Sequence, residues 1–533
     1  MSLLEIERLS VAYAGVAVVR DVTITVGAGE IVALVGESGS GKSTVALAAI
    51  DLLAPSADRG GRVLVEGRDL ATLSLRERDR LRGARIAMIS QEPATALNPR
   101  MRIGAQVAEA SRLHGMSRRD AGRRAAEMLA RVGLPADAVS PRRFPHQLSG
   151  GQRQRVAIAM AIAAAPALLV ADEPTTALDV TTQAQVLALL RRLVAEDDMG
   201  LLLISHDLAV VADLATRIVV MKDGAIVEEG TSANILSSPQ TDYTKTLIER
   251  SSHVPTRAPH AGPAPAGSPP LLEVRNLTRI HRGRGQDRLT VDAASFVVRR
   301  GETVGLIGES GSGKTTLLRA ILGLDAVQGG AVLLDGVNIS TARGAALLRL
   351  RRKVQAVFQD PAASLDPRWT IERVVAEPLH LLEMAVDRRE RRYRVERMLE
   401  QVGLRATDAD RYPHQFSGGQ RQRIAIARAL VIEPALVILD EAVSALDVSI
   451  RADILDLLAD LSSRLGVAYL FVSHDLALMR RIADRLIVIR NGRIIEQGPT
   501  GEVIAAPAQP YTAELLAATP DLDRILSERS AQA

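Results

Sequence analysis

The sequence predicts a two-domain α/β protein, and three observations carry that prediction. Nearly the whole chain of 533 residues is written twice. LLEIERLS (3–10) returns as LLEVRNLT (271–278), and PHQLSGGQRQRVAIA (145–159) returns as PHQFSGGQRQRIAIA (413–427). Each copy holds short apolar runs that stop at Gly, at an acidic pair or at Ser-His, such as IVALVG and LLVADE, which read as buried strands. Between these runs lie long Arg/Glu/Leu/Ala stretches with helical periodicity. Alternating buried strands and helices imply parallel sheets with ligands at the strand ends.

The repeat is domain-sized, so it reads as duplication and not as a solenoid. The first domain is expected at 1–250 and the second, with a C-terminal tail, at 271–533. Between them, SSHVPTRAPHAGPAPAGSPP (251–270) is too rich in Pro, Ala, Gly and Ser to bury a core and reads as a linker. The final SERSAQA is expected to fray.

Composition narrows the function. With 47% apolar residues the chain can build ordinary cores. It has no Cys, which excludes disulfides, thiolate metal sites, iron–sulfur clusters and cysteine nucleophiles. No uninterrupted apolar run reaches the ~18 residues of a membrane helix, and MSLLEIERLS has no basic-then-apolar leader, so a cytoplasmic chain is expected. The net charge is +4, and no basic block is interleaved with aromatics, so no nucleic-acid partner is expected.

The first motif is Gly36-x-x-x-x-Gly41-Lys42-Ser43 and its copy Gly308-x-x-x-x-Gly313-Lys314-Thr315. This spacing fits the phosphate-binding loop of nucleotide triphosphatases. Its glycines let backbone N–H groups curl around phosphates, and the helix that follows aims its positive end at the same anion. Ser38, Gly39, Ser40 and Thr44, with Ser310, Gly311, Ser312 and Thr316, complete the two cradles. Lys42 and Lys314 place a charge at the β/γ-phosphates, and Ser43 and Thr315 offer a hydroxyl to Mg²⁺.

Asp172-Glu173 and Asp440-Glu441 each close an apolar strand. A carboxylate at a buried strand end is costly unless it meets a cation or donors, and magnesium beside a triphosphate would meet Asp172 and Asp440. Glu173 and Glu441 are then placed to polarise a water. His206 and His474 follow strand-like runs, as do Gln91 and Gln359, whose amides could reach Mg²⁺ or the attacking water. Ser149-Gly150-Gly151-Gln152 and Ser417-Gly418-Gly419-Gln420 read as helix starts with Ser as N-cap, a bare glycine-rich terminus suited to a γ-phosphate.

Together and in this order, these residues resemble the ATP-binding-cassette family, and the resemblance covers both halves. It implies two nucleotide-binding domains, each with a RecA-like core, a helical subdomain and a β-subdomain. It also implies that two ATP molecules are sandwiched head to tail. One site would join Lys42, Ser43, Gln91, Asp172, Glu173 and His206 to Ser417, Gly418 and Gly419. The other would join Lys314, Thr315, Gln359, Asp440, Glu441 and His474 to Ser149, Gly150 and Gly151. By the same resemblance Glu is the general base or water-positioner, His contacts the γ-phosphate, and Asp179 and Asp447 carry signals between the halves. Neither half lacks its Glu, Lys or Ser, so both sites are expected to hydrolyse ATP. Two departures stand out: Tyr13, the expected adenine-stacking aromatic, is answered by His281, and Pro174 is answered by Ala442.

The finer resemblance is to ATPase subunits of dipeptide, oligopeptide and nickel importers, with both subunits fused. QEPATALNPRMRIGAQVAEA (91–110) and FQDPAASLDPRWTIERVVAEPL (358–379) carry it. So do the tails Pro239…Tyr243-Thr244…Leu247 and Pro507…Tyr511-Thr512…Leu515. This resemblance implies ATP-driven import of di- or oligopeptides by a protein peripheral to the cytoplasmic face of the membrane. The partners would be two permease subunits and, indirectly, an extracytoplasmic binding protein, with one copy of the chain per transporter. Nickel, glutathione and opines remain open as cargo, and a twin-cassette ribosomal translation factor is the alternative of another class.

Overall fold

A computed structural model describes residues 2–91, 96–176, 178–253, 269–281, 287–382, 387–443, 446–522 and 524–527. Most of the expected linker (254–268) and the last residues of the tail (528–533) lie outside the described residues, as do Ala177, Ser444 and Ala445.

Each half carries a six-stranded sheet. In the first, the order from edge to edge is Ala225–Thr231, Arg217–Lys222, Ile31–Val35, Gly200–Ile204, Leu168–Asp172 and Ile86–Ile89. The last five strands run parallel. Arg493–Pro499, Arg485–Arg490, Thr303–Ile307, Ala468–Ser473, Leu436–Asp440 and Val354–Val357 repeat that order in the second half. Every residue of Ile31–Val35, Leu168–Asp172 and Leu436–Asp440 is buried, because both sheet faces are covered. This is why these strands read as unbroken apolar runs and not as alternating ones.

One face packs against helices, among them Arg118–Arg131, Gly150–Ile162 and Val180–Asp197. The other packs against a four-stranded antiparallel sheet built on Ser2–Tyr13 and Val16–Gly27, where Leu4, Ile6, Val22 and Ile24 meet Val32, Leu34 and Val170. The second half repeats both layers. Parallel strands all end on one edge, so Gly36, Asp172 and Ser205-His206 emerge side by side from adjacent strands.

The halves interlock through their tails. Helix Asp242–Ser251, at the end of the first half, packs on helix Val448–Leu465 of the second. Helix Pro510–Ala518 packs on Val180–Asp197 of the first. Leu522 goes further and is buried in the first half's core, with Ile525 and Leu526 against it. His253 Nε2 lies 2.8 Å from Asp456 Oδ1, and Arg481 donates to the Ser251 carbonyl at 2.7 Å.

Candidate functional site

The two glycine-rich loops leave the central strand and turn into helices Lys42–Ala49 and Lys314–Ile321. Gly313 makes that turn at φ 106°, in the left-handed region, and a Cβ there would stand 2.6 Å from the Thr290 carbonyl oxygen. Replacing Gly313 by Ala is expected to destabilise the fold by about 1–3 kcal/mol and to weaken nucleotide binding. Thermal unfolding with and without ATP measures both effects.

The lysines are folded back on their own loops. Lys42 Nζ donates to the carbonyls of Gly36 (2.8 Å) and Glu37 (2.7 Å), and Lys314 does the same to Gly308 (2.6 Å) and Glu309 (2.8 Å). Both are buried, and burial lowers their pKa. Carboxylates counter part of that shift, led by Glu173 for Lys42 and Glu441 for Lys314. One counter-charge in each set comes from the opposite half: Asp447 faces Lys42 and Asp179 faces Lys314.

Beside each lysine stands the acidic pair. Ser43 Oγ donates to Asp172 Oδ1 at 3.3 Å. Burial raises the pKa of Asp172, and it raises Asp440 to about 6, helped by the charge of Glu441. The ammonium groups of Lys42 and Lys314 offset only part of that rise. Hydroxyl, amide and carboxylate oxygens from Ser43, Gln91 and Asp172 form an all-oxygen donor set that suits a hard divalent ion. Thr315, Gln359 and Asp440 repeat it.

Glu173 and Glu441 sit at φ 48°, a strained backbone for a side-chain-bearing residue. The strain persists because the fold over-determines it. Glu173 N donates to Ile204 O (2.9 Å), while its carboxylate accepts from Gln91 Nε2 (2.8 Å) and Thr176 Oγ1 (2.9 Å) and lies 3.0 Å from His206 Nδ1. Glu441 repeats the pattern with Gln359 at 2.7 Å and His474 at 3.2 Å. Burial alone would raise the pKa of Glu173, but His206 leads the donors that outweigh it and bring it to about 2. For His206 burial lowers the pKa, and the hydrogen bond and charge of Glu173 turn the net shift upward.

Ser149 and Ser417 cap their helices. Ser149 Oγ accepts from Gln152 N (3.2 Å) and Gln152 Oε1 accepts from Ser149 N (3.1 Å). Ser417 and Gln420 do the same at 3.3 and 3.0 Å. The two glycines of each corner have different surroundings. A Cβ on Gly150 or Gly418 meets open space. On Gly151 it would stand 2.2 Å from Thr182 Cγ2, and on Gly419 2.6 Å from Ile450 Cγ2. The first glycine bares backbone outward, and the second lets the helix pack on its neighbour.

The loops meet the opposite half. Ser38 N donates to Asp447 Oδ1 at 3.1 Å, Ser449 Oγ donates to Glu37 Oε1, and Thr181 Oγ1 donates to Glu309 Oε1 at 2.5 Å. A cavity of about 660 Å³ opens beside Lys314, Thr315, Gln359 and Glu441, with Asp179 of the first half on its wall. Ser149 and Gly150 are exposed and do not line it. His281 lines it together with Arg288, its cross-strand partner. Tyr13 ends its strand in the first half and packs partly against the core beneath it.

Sequence reasoning missed Arg288, Glu37, Glu309 and Thr176, and it read Tyr243 and Tyr511 only as tail pattern. Tyr243 OH accepts from Glu37 N, and Tyr511 OH from Glu309 N, each at 3.2 Å. The exact repetition of the tail tyrosine in both copies was the available signal.

A family described as ABC transporter matches residues 19–176 and again 291–444. A second, described as the C-terminal region of oligopeptide/dipeptide transporters, matches 495–532. The glutathione import ATP-binding protein GsiA of Salmonella typhimurium is 46% identical over 541 residues, 95% of this chain and 87% of that protein. The protein of the same name from Escherichia coli K12 is 45% identical over 562 residues, 97% and 90% respectively. Among solved structures, a dimeric ATP-binding cassette bound to ADP and Pi is 30% identical, covering 43% of this chain and 98% of its own, at TM-score 0.40.

Proposed function

The chain belongs to the ABC transporter family, as a two-cassette ATPase that drives import, and from that premise we propose that its cargo is short peptides of the glutathione class. Glutathione is the cargo named for its relatives, and a tripeptide fits the oligopeptide-type tail. Among the described residues no helix is long and apolar enough to cross a membrane. In this reading the chain works from the cytoplasmic face on two permease subunits, fed by an extracytoplasmic binding protein, with one copy per transporter.

The observation that carries the mechanism is reciprocal contact: each phosphate loop already touches the opposite half, through Ser38 with Asp447 and Glu309 with Thr181. ATP binds in the backbone of residues 36–44 and 308–316. Its phosphates draw Lys42 and Lys314 off their loop carbonyls. Adenine lies against Tyr13 in the first half, and against His281 with Arg288 in the second. Ser43, Gln91 and Asp172, and in the second half Thr315, Gln359 and Asp440, would hold Mg²⁺, which neutralises phosphate charge when bound.

The outward corners then close on the nucleotide: Ser417, Gly418 and Gly419 on the first site, Ser149, Gly150 and Gly151 on the second. Gln91 would be among the residues that hold Mg²⁺, and His206 turns to the γ-phosphate. Glu173 thereby loses the His206 and Gln91 contacts that help hold its pKa near 2, keeps only Thr176, becomes more basic, and polarises the attacking water. Glu441 does the same in the second site. Hydrolysis breaks the anionic bridge and the corners part.

Reconstitution with candidate permeases and binding protein in vesicles tests the cargo. Glutathione is expected to raise ATP hydrolysis and to accumulate inside. ATP turnover that ignores glutathione and responds to another short peptide would replace this cargo assignment.

A further inference from the structure

We infer that Tyr243 and Tyr511 are positioning residues that tie each phosphate loop to the opposite half of the chain. The inference rests on reading residues 36–44 and 308–316 as phosphate cradles, and it adds a role for the tails.

Tyr511 lies on helix Pro510–Ala518, which packs on helix Val180–Asp197 of the first half. Its hydroxyl reaches back to its own half and accepts from Glu309 N at 3.2 Å. The Glu309 carboxylate in turn accepts from Thr181 Oγ1, on that same first-half helix, at 2.5 Å. Tail helix, phosphate loop and opposite helix thus close a triangle. The other half builds it independently. Tyr243, on helix Asp242–Ser251 packed against Val448–Leu465, accepts from Glu37 N, and the Glu37 carboxylate accepts from Ser449.

Each ring is fixed from its face by a cation at the end of a sheet strand. Lys222 Nζ stands 4.9 Å from the Tyr243 ring centroid, and Arg490 Cζ stands 4.4 Å from that of Tyr511. Burial pushes the Tyr511 hydroxyl up to about 12, so it stays protonated at neutral pH.

The consequence is physical. The Glu309 peptide is the entrance of the loop, and its two ends are gripped by two bodies: the backbone N–H by the tail, the carboxylate by the opposite half. The opposite half therefore helps set the loop geometry before nucleotide arrives, and the tail transmits its position. Losing the hydroxyl frees the loop entrance and weakens the nucleotide-bound and transition states equally, which raises KM and spares kcat.

The test uses the full chain and ATP. Tyr511→Phe keeps the ring and its cation contact and removes only the hydroxyl. It is expected to raise the KM for ATP about fivefold with kcat within about twofold. Combining it with Thr181→Val, which cuts the other grip on Glu309, is expected to raise KM less than the product of the two single effects. This non-additivity is read as a ratio of KM values, so it holds even where a variant lowers the melting transition. An unchanged KM in Tyr511→Phe, or strictly multiplicative effects in the double variant, would overturn the inference. Lys314→Ala separates it from its premise. If that change leaves ATP binding intact, the cradle reading fails. If it weakens ATP binding at that site while Tyr511→Phe has no effect, only the tyrosine's role fails.

Discussion

Glu173→Gln is expected to slow steady-state ATP hydrolysis by about two to four orders of magnitude while ATP still binds. The amide is nearly isosteric, so the strained turn at φ 48° and the bond from Glu173 N to Ile204 O are kept. What disappears is the charge that polarises water and one of the two acceptor oxygens that His206, Gln91 and Thr176 share. Glu441→Gln is expected to do the same, since Gln359 and His474 hold that carboxylate in the same way. Each change alone should stop most turnover, because the proposed closure moves both sites together. Phosphate-release kinetics with a parallel nucleotide titration check both halves of the expectation. A single change that leaves turnover near its original value would mean that the two sites fire independently.

The second large effect is on binding. Lys42→Ala or Lys314→Ala is expected to weaken ATP affinity at the altered site by about tenfold to a hundredfold. A hydrogen bond to a charged phosphate contributes roughly 1.5–3 kcal/mol, and every 1.4 kcal/mol is about a factor of ten. The fold should tolerate the change. Removing the ammonium relieves the burial that lowers its pKa, and Gly36 and Glu37 lose only one shared donor at their carbonyls. Titration with a fluorescent ATP analogue measures the affinity, and circular dichroism confirms the fold.

Much of this was legible in the sequence, because local rules govern it. Buried parallel strands announce themselves as apolar runs, and Ser149-x-x-Gln152 spells its own cap before it folds. A strand that ends in Asp172-Glu173 exposes a charge where parallel strands gather their ends. Other features left no local trace. The Tyr243 bond to the phosphate loop spans 206 positions, and the one between Ser449 and Glu37 spans 412. Neither changes any periodicity. The strained φ of Glu173 comes from the strand beside it, not from its neighbours in sequence. The different duties of Gly150 and Gly151 depend on Thr182, which approaches only one of them. The docking of Leu522 in the first half's core reads, in one dimension, as an ordinary tail leucine.

The proposed motion is the closure of the exposed serine–glycine corner of one half onto the phosphate loop of the other when nucleotide binds. The chain has no Cys, so two introduced cysteines can be labelled uniquely. Arg142, exposed on the segment that leads to Ser149, and Asp287, next in sequence to the cavity residue Arg288, are suitable positions. Spin labels at Arg142→Cys and Asp287→Cys, in a chain also carrying Glu173→Gln and Glu441→Gln, report their separation directly. The expected result is a clear shortening when ATP and Mg²⁺ are added, with no such shortening on ADP. Equal separations with ATP, with ADP and without nucleotide would contradict the claim.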